Sequence, residues 1–127
     1  MKYELINPSD KIYFDTDGSR EAETALCYIV LVVSGGQMAL RREDGEDVLP
    51  IFIFAKEADL LAYWKTRTDA PFGDWPMQNL RLIATVSASA RYASERTSMR
   101  KIVDAFHDNA KRLSAQADRI EREAANA

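Results

Sequence analysis

The chain has 127 residues, 46% of them hydrophobic and 29% charged, with a formal net charge of −3. That length holds one domain with one modest core, and the composition lies well away from that of disordered chains. A single cysteine excludes an internal disulfide, and with only one histidine beside it a zinc site of Cys and His alone is excluded as well.

The first segment, "YELI" (3–6), reads as a short strand stopped by the turn residues "NPSD". "KIYFDT" follows as a second strand, with Ile12 and Phe14 on one face and Tyr13 on the other. Asp17 or Ser19 then caps a helix with Glu21 and Glu23 in its first turn, running to Gly35-Gly36 as its stop. The second half of that helix is apolar on every side, which predicts burial, although "CYIVLVV" also fits a fully buried strand.

"QMALRRE" and "VLPIFIF" flank the acidic turn "EDGED" and predict a hairpin, with Pro50 either placing its second strand at an edge or starting that strand at Ile51. "KEADLLAYWKTR" has helical spacing of Leu60, Leu61, Tyr63 and Trp64, and "DAPFGDWP" ends it. Beyond Pro76 there is no further Gly or Pro, and "MQNLRLIATVSASARYA" reads as helical with Leu80, Ile83 and Val86 on one face.

In the last segment Met99, Phe106, Leu113 and Ile120 recur every seven residues, with Val103, Ala110 and Ala117 between them. This seam fits either the chain's own core or the matching helix of another copy; the expectation is self-association. The fold class expected is α+β: a small antiparallel sheet with packed helices and a long C-terminal helical region. It forms a single domain, 1–127, divided into a sheet-and-helix part (1–75) and a helical part (76–127).

Catalytic and membrane signatures are absent from the sequence. There is no phosphate-binding glycine loop, dinucleotide fingerprint or nucleophile elbow. His107 reads as structural or solvent-facing and Cys27 as a small buried hydrophobe. The longest apolar run, Ala25 to Val33, is about half of the roughly 20 residues a membrane helix requires. The N-terminus lacks the apolar region of a signal peptide. These features predict a soluble, intracellular, non-catalytic protein with no cofactor or metal.

Charge is unevenly divided: residues 1–60 carry 6 basic and 12 acidic groups, residues 61–127 carry 11 and 8. An acidic N-terminal half argues against binding long nucleic acid. Within the basic half, "RYASERTSMRKIV" gathers Arg91, Arg96, Arg100 and Lys101 against Glu95 alone. If a helix starts near Ser94 or Thr97, Arg96 and Arg100 share one face at its positive end, where they repel each other and the helix dipole. An anion reverses both penalties, because free backbone N–H groups and guanidinium forks suit phosphate, and Thr97 and Ser98 add hydroxyls. The plainer alternative pairs the arginines with Glu95 and Asp104 on a solvated surface.

The sequence of a "YELINPSD" opening, an apolar helix ending in Gly, an "LPIFIF" strand and a final helix preceded by Arg96-Thr97-Ser98-Met99 resembles the Thoeris anti-defence family. These are small phage-encoded sponges that bind cyclic ADP-ribose isomers in the host bacterial cytoplasm, and some also bind cyclic oligonucleotides. The resemblance implies a homodimer or dimer-based oligomer with the ligand at the interface, held by Arg96 and Arg100. It further implies Asn79 upstream of that pair and Phe72 stacking on the adenine. Arg100-Lys101 departs from the family, which carries Asn-Asp there. Two other readings stay open: a blocker of a host enzyme acting through Asp44, Glu46 and Asp47, and an enzyme using Asp104, Asp108 and His107.

Overall fold

The structure is a computed structural model of the whole chain. It describes residues 2–7, 10–35, 39–44, 47–52, 56–92 and 97–126; for 6, 7, 10, 11, 39, 42–44, 47–52 and 97–99 the backbone path alone is described.

The strands are β1 (Lys2–Asn7), β2 (Asp10–Asp15), β3 (Ala39–Asp44), β4 (Asp47–Phe52) and β5 (Arg91–Tyr92). They form one antiparallel sheet in the order β4-β3-β1-β2-β5. The helices are α1 (Arg20–Ser34), α2 (Glu57–Arg67), α3 (Trp75–Gln78), α4 (Leu80–Ala88) and α5 (Thr97–Ala125). The class is α+β, with a long C-terminal helix.

Strand alternation sets the core. Tyr3, Leu5, Ile12, Phe14 and Leu40 are buried, while Tyr13 is only half-buried, as period-two alternation requires. Their partners include Leu26 and Ile29 of α1, Ile83 of α4 and Phe106 of α5. Phe106 meets Phe14 edge to face, with ring centroids 4.9 Å apart. The β3–β4 hairpin forms as the sequence predicts, irregular between Arg41 and Glu43, and Pro50 lies in the edge strand.

Helix α1 begins where Ser19 Oγ accepts the Ala22 N–H, while Asp17 Oδ1 accepts the Ser19 N–H one step earlier. It ends at Gly35, whose φ of 63° lies in the left-handed region that side-chain-free glycine adopts without strain. The segment 27–33 is therefore helix, not strand. Its last turn departs from the expected burial: Val32 is 47% exposed and Leu31 and Val33 are half-buried. Burial on α1 stops at Val30.

The stretch after Pro76 is not one continuous helix. Helix α4 stops at Ala88; Ser89 Oγ donates to the Val86 carbonyl and accepts the Asp15 N–H from β2. The chain thereby turns onto the sheet edge, where Arg91 and Tyr92 pair with Tyr13 and Ile12.

The seven-residue seam is an internal one. Val103, Phe106, Ala110, Leu113 and Ala117 are all buried within the chain. Ser87 Oγ on α4 donates to the Phe106 carbonyl at 2.6 Å, fastening the two helices together. Arg81 reaches Asp118 and Glu121 at 2.7 and 2.8 Å, which sets α4 antiparallel to α5. Ile120, 39% exposed, continues the seam beyond this cover, and the side chain of Met99 at its other end lies outside the described residues. The expectation that the seam pairs with another copy therefore loses its basis over 103–117.

Candidate functional site

The basic stretch opens α5. Arg100 and Lys101 are the fourth and fifth residues of the helix, both are exposed, and the first turn holds no acid. Asp104, one turn on, is also exposed, and Arg100 forms no ion pair with it. The plainer pairing of Arg100 with Asp104 is thus absent. Arg96 lies outside the described residues, as do the side chains of Thr97 and Ser98.

Arg91 is engaged instead with Asp15 on β2. Tyr92, half-buried on the strand that leads into α5, belongs to the same end of the molecule.

Asn79 and Phe72 belong to the opposite end. Asn79 is half-buried between α3 and α4, and its amide Nδ2 donates to the Trp75 carbonyl at 2.7 Å. Phe72 is buried and stacks on Trp75 with centroids 5.9 Å apart and planes 12° apart, while Trp64 leans on both. Its ring is packed into this cluster, 5% exposed, and lines a hollow of about 300 Å³ with Glu57, Ala58 and Leu61. Because α4 runs antiparallel to α5, Asn79 sits by the α5 segment around Asp118. That segment is 18 residues from Arg100, or about 27 Å at about 1.5 Å per residue. One chain does not bring Arg100, Asn79 and Phe72 together.

A hollow of about 570 Å³ runs between α4 and α5 over Ala84, Ala88, Ala110 and Ser114, and contains none of the expected ligand residues. A smaller one of about 320 Å³ lies between Asp17, Leu82 and Thr85.

His107 is half-buried on α5. Its Nε2 lies 2.8 Å from the Ala90 carbonyl, and since a carbonyl only accepts, Nε2 donates. No group of three or more His, Cys, Asp or Glu able to hold a metal occurs among the described residues. Nor is any helix among them long and apolar enough to cross a membrane. The side chains of Asp44 and Asp47, and Glu46 as a whole, lie outside the described residues.

A second polar constellation sits in the core. Glu23 is only 2% exposed, and its Oε2 accepts from Tyr3 OH at 2.9 Å. Its Oε1 accepts from Tyr63 OH on α2, with Arg67 of α2 3.9 Å away. Burial, the hydrogen bond to Glu23 and the Glu23 charge all push the Tyr63 phenol well above its usual pKa, so it stays protonated and donating. Sequence reasoning placed Glu23 only as a helix-dipole partner. Its i+40 tyrosine donor has no local sequence signal.

No protein-family model, curated protein or solved structure matches the chain.

Proposed function

We propose that the chain binds a small cyclic nucleotide signal of the cyclic ADP-ribose type and sequesters it without cleavage, as a phage-encoded counter to host immunity acting in the bacterial cytoplasm. The supporting observation is the start of α5, where Arg100 and Lys101 stand exposed without an acid in the first turn or an ion pair to Asp104. An anion there meets free backbone donors, the positive helix end and forked guanidinium donors together. Arg96, Thr97 and Ser98 extend the same segment in sequence.

The proposed ligand lies in a pocket between two copies, in a homodimer or an assembly of dimers; the roughly 27 Å between Arg100 and the Asn79 end of one chain supports this reading. Tyr92 takes the stacking role that the burial of Phe72 leaves open. Two charge-assisted arginine contacts contribute about 3–6 kcal/mol and one stacked base about 1–3. Nanomolar capture needs about 12, so enclosure between copies supplies the balance.

The test is calorimetric titration with cyclic ADP-ribose isomers and cyclic di- and trinucleotides, followed by mass analysis of ligand released on denaturation. The expected result is nanomolar binding, abolished in Arg96→Ala and Arg100→Ala, with intact ligand recovered. Recovery of altered ligand would establish an enzyme instead. Absence of binding by every ligand would return these arginines to the solvent face and direct attention to Asp44, Glu46 and Asp47 as a protein-binding edge.

A further inference from the structure

We infer that α2 is a strap that opens from α1 as a unit in the folded protein, gated by the buried Glu23 carboxylate. Three elements converge on that carboxylate: Tyr3 from β1, and Tyr63 and Arg67 from α2. The guanidinium of Arg67 also lies over the Tyr63 ring, 5.5 Å from its centroid, so the two α2 groups hold together as they meet Glu23. Against this polar latch, the apolar hold of α2 is modest, with Leu61 and Tyr63 half-buried against the core. Leu60 and Trp64 are its only buried side chains, compared with eight buried residues on α1.

The latch is also costly to keep dry. A carboxylate taken out of water loses its hydration, and the hydroxyls of Tyr3 and Tyr63 with the Arg67 guanidinium at 3.9 Å are among the groups that stand in for it. Lifting α2 rehydrates Glu23, which offsets part of the lost burial of Leu60 and Trp64. An element with few buried contacts and a desolvated charge beneath it is drawn from the low-stability end of a structure. Of the helices of comparable length, α4 buries five residues in nine, whereas α2 buries two in eleven.

Cys27 makes the motion measurable. It lies one turn along α1 from Glu23, so on the same helix face, and is 1% exposed. It is the protein's sole cysteine, so a thiol reagent reports on this spot alone.

The experiment follows labelling of Cys27 by dithiobis(nitrobenzoate) in increasing urea, beside global unfolding by circular dichroism. The expected result is labelling at low urea whose dependence on urea is much flatter than that of global unfolding, and at least about tenfold faster in Tyr63→Phe. Phe106→Ala serves as the control: it destabilises the core elsewhere and leaves the flat, low-urea labelling rate unchanged. Labelling that follows the global urea dependence throughout would overturn the strap. A flat dependence with the same rate in Tyr63→Phe would overturn its gating by Glu23.

Discussion

Glu23 shows how much a single side chain can carry. A carboxylate 2% exposed is made tolerable by groups such as the hydroxyls of Tyr3 and Tyr63 that reach it. Hydrogen bonds to charged groups contribute about 1.5–3 kcal/mol each, so Tyr3→Phe should lower stability by about that amount in urea denaturation. Arg100 is the opposite case. Exposed and without an ion pair, its replacement by Ala should shift stability by no more than about 0.5 kcal/mol, so that any lost ligand binding in that variant reads on the site and not on the fold. Sequence alone shows Arg100 well, because clustered like charge at a helix start is a local pattern. It shows Glu23 poorly, because its donors come from 20 positions before it and 40 after it. Phe72 misleads for the same reason: an aromatic in a loop looks available until Trp64 and Trp75 close on it.

At the scale of elements, the helix ends were the most legible features, since caps and stops are short-range chemistry. Ser19→Ala should cost about 0.5–2 kcal/mol through the lost Ala22 contact. Gly35→Ala should cost about 1–2 kcal/mol from backbone strain alone, because no atom lies within 4 Å of the added methyl carbon. Urea midpoints of both variants check these values. Strands β1 to β4 were readable from alternation and from the Pro-, Gly- and Asp-rich turns around them. Strand β5 was not, since two residues carry no period, and what ends α4 is a serine bonded to a strand 74 positions away.

For the molecule as a whole, the seam along α5 decides how the chain is held. Its seven-residue spacing does not distinguish a partner within the chain from one outside it; burial of Val103, Phe106, Ala110 and Leu113 against the chain's own α4 and sheet does. Leu113→Ala should therefore cost about 2–5 kcal/mol, with a change in unfolding free energy independent of protein concentration. A loss that grew on dilution would place that residue in an interface between copies. The same accounting separates fold from function: Phe106→Ala, at about 3–5 kcal/mol, tests the core and touches none of the expected ligand residues.

The edge-to-face contact of Phe14 with Phe106 has a kinetic side. The face of the sheet laid down by the first strands is completed by a ring contributed from the last helix. A ribosome adding about 5–20 residues per second leaves Phe14 waiting several seconds for Phe106. Closing so long a loop makes the final docking of α5 the slow, entropy-limited event in refolding. Chains interrupted before α5 therefore expose the sheet's apolar face, and they are the species that chaperones and proteases meet first.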